Sequence, residues 1–262
     1  MFSASFTSQT FEYFLLILVR VASCIFAAPF FNTRGIPTRS KVGVAGCIAI
    51  MLISILPEQN LTYTGIMEYG IIVMREGITG LLIGFSASIC NSIVLFAGRE
   101  IDMQMGLAMA QEFNPLTQMP ESITGNFYNY LVMLMLIVTN MYQYVIRAVC
   151  ESYQLIPING QVFQWEYLAE GFISYMTSLV TIGFRITLPM FACMMLLNCM
   201  LGVMAKVAPQ MNMFAVGMQL KVLLGLVALF LVITLLPGVA DFVAKEMRKL
   251  VVYMIKGMYT SG

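Results

Sequence analysis

The sequence predicts an all-α integral membrane protein of about six long, partly broken apolar helices, and three observations carry that prediction. Of 262 residues, 60% are hydrophobic and 10% charged, whereas soluble domains carry roughly 25% charged residues. The mean hydropathy is +0.85. Apolar runs recur along the chain between short polar links, and several approach the ~20 residues a helix needs to cross the hydrocarbon core.

The first run, residues 11–31, has Arg20 near its middle and Pro29 near its end. It is preceded by no basic residue and carries Glu12 where a signal peptide would carry Lys or Arg, so the first helix is expected to be retained. Arg34, Arg39 and Lys41 in the link 32–41 stand without an acid. That link reads as cytoplasmic, with the N-terminus outside. Residues 42–56 would make a helix of only about 22 Å, shorter than the ~30 Å core. Glu58 and Glu68 bracket the next link. Residues 69–97 are then apolar except for Arg75 and Glu76, with Gly77, Gly80 and Gly84 at a spacing that suits close helix contact.

Residues 98–120, GREIDMQMGLAMAQEFNPLTQMP, are too polar for lipid and too apolar for an ordinary solvated loop. Irregular backbone at membrane depth persists only where protein buries it or where it lines a watery cavity. The stretch is a candidate pore or gate element; the alternative is a connector whose apolar side chains lie on neighbouring helices. Residues 127–146 read as a clean span ending at Arg147. The link 151–171 holds Pro157, Asn159-Gly160, Trp165 and three acids without a base, and reads as an outer loop with Trp165 and Tyr167 at the interface. Residues 172–205, interrupted by Arg185 and Pro189, would extend about 51 Å as one helix. KVAPQMN, residues 206–212, is a polar turn. The last run, 213–239, contains Lys221 and closes at Pro237-Gly238, and the tail from Asp241 is basic and amphipathic.

These segments conflict with an ordinary topology. Six spans with the N-terminus outside return the C-terminus to the outside, yet the tail is basic. Arg20, Arg75, Arg185 and Lys221 lie inside apolar runs, where each costs roughly 2.5 to 3.5 kcal/mol at a lipid-exposed helix centre. They must face protein, water or one another, as structural ion pairs, snorkelling ends or a transport path. Glu76 is the acid those runs offer. Arg75 and Glu76, being adjacent, point about 100° apart on a helix, so at least one is expected to seek a partner chain. The 23 methionines, dense from Met190 to Met218, suit irregular and adaptable contacts. One segment too short, one too long and buried charge together predict helices packed chiefly against other chains.

Several function classes are excluded. The net charge is +1 and the first 240 residues hold no basic run, so no nucleic-acid surface is predicted. With no histidine, neither a His-containing metal site nor a Ser-His or Cys-His pair is possible. The six cysteines are scattered singly and read as small buried hydrophobes. No G-x-x-x-x-G-K-[ST] loop is present to bind a nucleotide, no cofactor is implied, and no catalytic constellation appears.

Three separated motifs carry a resemblance. They are RVASCIFAAPFFNTRGIPTRSKVGVA, with Arg20, Pro29, Pro37, Lys41 and Ala45; AGREIDMQMGLAMAQEFNP; and APQMNMFAVGMQLK, with Pro209, Gln210, Asn212, Phe214, Gly217 and Lys221. In this order they resemble the FliR family of flagellar type III export proteins, which includes injectisome homologues. Met218-Gln219-Leu220 depart from it, standing where the family carries a proline before the lysine.

The resemblance implies a FliP-like part over residues 1–171 and a FliQ-like helical hairpin over 172–262, turning at Lys206, Pro209, Gln210 and Asn212. It implies a gate subunit of the bacterial inner membrane at the flagellar basal body. The partners would be FliP, FliQ, FlhB-like and FlhA-like proteins, membrane lipid, and unfolded flagellar substrates in transit. The central loop would act as a plug through Met105, Gly106, Leu107, Met109, Phe113, Asn114 and Pro115. An injectisome subunit is the alternative, and a self-contained small-solute transporter a further one, motivated by the membrane charges and broken helices.

Overall fold

A computed structural model describes residues 8–32, 36–56, 63, 65–107, 112–114, 119–208, 210 and 213–259. The protein is an all-α membrane protein, with one short β-hairpin among the described residues. In chain order the helices are α1 (Ser8–Ala27), α2 (Thr38–Ile53), α3 (Ile66–Ala87), α4 (Ile89–Met105), α5 (Ile123–Val138), α6 (Met141–Leu155), α7 (Trp165–Val207), α8 (Met213–Val232) and α9 (Leu236–Lys256). A 3-10 turn, Ile233–Leu235, precedes α9, and the strands β1 (Glu112–Asn114) and β2 (Met119–Glu121) lie between α4 and α5. Among the described residues four helices are long and apolar enough to cross a membrane, or five spans if α5 and α6 count as one broken span.

The chain forms two compact units that interleave distant segments: residues 1–89, 140–175 and 246–262 in one, and 90–139 and 176–245 in the other. This is a spatial division, whereas the boundary at residue 171 rests on resemblance. In the first unit α1 lies against α3 along the glycine spacing read from sequence. A Cβ at Gly80 would collide with the Arg20 carbonyl, and one at Gly84 would stand 2.6 Å from the Cys24 carbonyl oxygen. Gly77 has ordinary clearance, 3.6 Å from Val19. The backbones therefore touch at two of the three glycines. α2 buries Ala45, Ala49 and Leu52 and leaves Ile50 and Met51 exposed.

The link between α6 and α7 is tied to the end of α9: the amides of Val162 and Gln164 donate to the carbonyls of Met258 and Gly257, at 3.2 and 3.1 Å. Tyr167 stacks on Tyr253 with ring centres 4.4 Å apart.

In the second unit α4 meets α5 at Gly98 and Gly125, where a Cβ on Gly98 would collide with the Gly125 backbone. Phe96 meets Phe184 edge to face at 5.8 Å. Gly183 leaves room for that same Phe96 ring. Further along α7, Leu201 faces the buried Gly217 of α8.

Four sequence expectations are corrected in detail. The central stretch does not leave helix at residue 98; α4 runs to Met105, because Asp102 finds buried partners described below. The run 127–146 is not one clean span: it breaks at Thr139 and Asn140, and Asn140 takes a left-handed backbone with φ 58°. The outer link is shorter than 151–171, since α6 continues to Leu155 and α7 starts at Trp165. The apolar run 213–239 does not close at Pro237, because the chain passes through a 3-10 turn into α9. Pro237 lies in the first turn of α9, where its missing N–H costs nothing. The run 172–205 lies within the single 43-residue helix α7, with Pro189 inside it.

Candidate functional site

The central loop is built on a helix end, a glycine and a cap. α4 ends at Met105, which is fully buried. Gly106 follows with φ 78°, and its amide donates back to the Met103 carbonyl at 3.3 Å. Glycine reaches this left-handed conformation without steric cost, as at many helix C-termini. Leu107 is half-buried in a short helical turn. The hairpin pairs Glu112 with Glu121, Phe113 with Pro120 and Asn114 with Met119, which places Phe113 and Asn114 on β1. Met109 and Pro115 lie outside the described residues.

A buried carboxylate closes the base of the loop. Asp102 accepts from the Ser122 hydroxyl at 2.7 Å and from the Thr124 amide at 3.3 and 3.4 Å. The Ser122 oxygen in turn accepts from the Gly125 amide at 2.8 Å, capping α5. A negative charge at a helix N-terminus meets unpaired N–H groups and the positive end of the dipole. Asp102 and Ser122 were not singled out from sequence. The available signal was a Ser-x-x-Gly helix start at Ser122, with its acid partner 20 residues upstream, which is weak alone.

The seat of Met105 is equally defined. A Cβ on Gly225 of α8 would stand 2.5 Å from Met105 Cε, 2.8 Å from Met105 Cγ and 2.9 Å from Met194 Cε. Met105 therefore packs into the space that a side chain at Gly225 would occupy, with buried Met194 of α7 beside it.

The charges within apolar runs part into two groups. Arg20 and Glu76 are fully buried and paired, Nε to Oε2, at 2.5 Å. Arg20 Nη1 donates to the Ile156 carbonyl at 3.1 Å and to Ser152 Oγ at 3.4 Å, and the guanidinium lies 4.1 Å over the Tyr153 ring. Glu76 Oε1 accepts from Gln161 Nε2 at 2.5 Å and from the Asn159 amide at 3.4 Å. Asn159, at φ 62°, and the Gly160 amide donating to Pro157 O at 2.9 Å make the tight turn that presents these donors. Glu76 thus takes its partners from its own chain.

Arg75 is exposed and Lys221 half-buried. Arg185 is exposed and rests 5.3 Å over the Phe242 ring. Among the described residues no carboxylate reaches these three cations.

In the turn after α7, Lys206 is exposed at the helix end, where a cation meets the negative pole of the dipole. Gln210 is exposed, Gly217 is buried, Phe214 lies on α8, and Pro209 and Asn212 fall outside the described residues. Outside the spans, Tyr63 donates to Glu12 at 2.6 Å, and that carboxylate raises the Tyr63 phenol above its ordinary range. Among the described residues no group of three His, Cys, Asp or Glu could hold a metal ion.

Comparison with known proteins bears on this arrangement. Residues 11–247 match the family described as bacterial export proteins, family 1. The chain is 26% identical over 237 residues to the flagellar biosynthetic protein FliR of Buchnera aphidicola subsp. Acyrthosiphon pisum (strain APS), covering 90% of each. It is 26% identical over 221 residues to FliR of Bacillus subtilis (strain 168), covering 84% of this chain and 85% of that one. It is also similar to the surface presentation of antigens protein SpaR of Shigella sonnei, at 23% identity over 227 residues, 85% of this chain and 87% of SpaR.

Proposed function

The chain belongs to the bacterial export proteins, family 1, and from that premise we propose that it is a subunit of the flagellar type III protein export gate. With FliP and FliQ it forms a helical pore in the bacterial inner membrane at the flagellar basal body, beside FlhB-like and FlhA-like proteins. Unfolded flagellar subunits pass through that pore. The observation that carries this reading is similarity to FliR proteins along 84% or more of both chains, so the likeness extends well beyond one motif.

Physical features support the reading. At 43 residues, α7 is about 64 Å long, twice the ~30 Å hydrocarbon core. Large apolar side chains are exposed along it from Ile173 to Val207. Lipid cannot cover such a face along its whole length, and helices of partner chains can. In this account residues 1–171 take the FliP-like role and 172–262 the FliQ-like hairpin. Arg75, Arg185 and Lys221 find water, lipid phosphate or carboxylates at the interfaces.

The central loop is the plug. Its stem is fixed by Asp102 and Ser122, while Met105, Gly106, Leu107, Met109, Phe113, Asn114 and Pro115 form the part that blocks the path. Apolar and thioether groups close a pore by excluding water and yield to a passing chain because few directional bonds are broken. Deleting residues 105–115 in the assembled gate is expected to raise ion leakage across the membrane at least tenfold. Unchanged leakage would remove the plug assignment.

The similarity to SpaR favours a second reading, an injectisome export subunit. Genes for a flagellar hook and filament beside this one, or genes for a needle, decide between them.

A further inference from the structure

We infer that Gly225 is the positioning residue of the central loop: the notch it leaves in α8 receives Met105, with Met194 beside it, and this seat fixes where the chain departs from α4. The inference rests on the plug reading only for its functional consequence; the seat itself is geometric. Glycine within a helix is destabilising relative to alanine, and the α8 residues flanking it, Leu223, Leu224, Leu226 and Val227, are large and apolar. An alanine methyl at this place would stand 2.8 Å from Met105 Cγ and 2.5 Å from Cε, so Met105 must shift to admit it. Cγ lies near the root of the side chain, so Met105 could not make room by swinging its tip alone.

Two kinds of contact then meet at the base of the loop. One turn before Met105, Asp102 is held to Ser122 and Thr124 by directional hydrogen bonds inside a buried site. Met105 is held in its seat by side-chain packing, which breaks and re-forms without leaving a polar group unpaired. Between Met105 and the loop stands only Gly106 in its left-handed conformation, so a shift of Met105 redirects the chain at once. The hydrogen-bonded clasp is the fixed part and the thioether seat is the part that yields.

The test uses the full chain within its co-expressed complex and compares Gly225→Ala, Gly225→Val, and Gly225→Val combined with Met105→Ala. Hydrogen exchange is read at Gly106 and Leu107, with Thr124 and Gly125 as reporters of the clasp, and ion leakage is read in parallel. Gly225→Val is expected to speed exchange at Gly106 and Leu107 at least tenfold while Thr124 and Gly125 stay unchanged, with Gly225→Ala intermediate. Adding Met105→Ala, which empties the seat for the valine, brings exchange back toward wild type. Unchanged exchange in both single variants would overturn the seat, as would failure of Met105→Ala to restore it. Faster exchange without added leakage would leave the seat standing and sink the plug reading instead.

Discussion

Arg20 and Glu76 are fully buried, and at residue scale each makes the other tolerable. Breaking a buried pair from one side leaves an uncompensated charge and costs about 3–5 kcal/mol. Arg20→Leu or Glu76→Leu alone is therefore expected to lower the thermal midpoint by on the order of 10 °C. The double variant should recover part of that loss, because it leaves no charge unpaired. Scanning fluorimetry of the detergent-purified protein checks this, and a double variant as damaged as the sum of its parts would contradict it. Asp102 and Ser122 form a smaller unit. Ser122→Ala loses a cap worth about 1 kcal/mol, and Asp102→Ala strands two donors at about 1–3 kcal/mol. Since they act through one hydrogen bond, their effects should be less than additive in denaturation of the purified chain.

Arg20 and Glu76 stood out in sequence because charge within an apolar run demands a partner. Ser152 and Ile156 did not, since they lie 132 and 136 residues from Arg20 and no local pattern links such distant positions. Gly225 was invisible for a related reason: its meaning lies in Met105 of another helix.

At the scale of elements, glycines of one helix differ according to what faces them. Gly70 and Gly80 both lie on α3. A Cβ at Gly70 would have nothing within 4 Å, whereas one at Gly80 would strike the Arg20 carbonyl and the Ser23 hydroxyl. Gly70→Ala is expected to stabilise by about 0.5–1 kcal/mol, and Gly80→Ala to destabilise by about 1–3 kcal/mol as α1 and α3 are forced apart. Thermal melts of the two variants side by side provide the check; equal shifts would contradict the close α1–α3 contact.

The glycine spacing and the excessive length of the run 172–205 were legible because both are periodic or additive properties of one stretch. The extension of α4 to Met105 was not. Arg99, Glu100 and Asp102 read as the start of a polar loop, and only the burial of Asp102 against α5 makes helix tolerable there. The break at Asn140 was marked only by the polar pair Thr139-Asn140 inside a largely apolar run, and hydropathy does not register a left-handed residue.

For the whole molecule, composition and run lengths made the membrane class plain, and the misfit to a six-span topology pointed to partners. The exposed apolar length of α7 supports the same proposal, as do Arg75, Arg185 and Lys221, which no carboxylate reaches among the described residues. In the proposed gate this surface is completed by other chains. The most direct test is co-expression with the FliP- and FliQ-like proteins encoded by its genome, extraction in mild detergent and native mass spectrometry. A stable mixed complex containing all three proteins is expected, and none should form when this chain is left out. A monodisperse monomer or homodimer that ignores both proteins would contradict it.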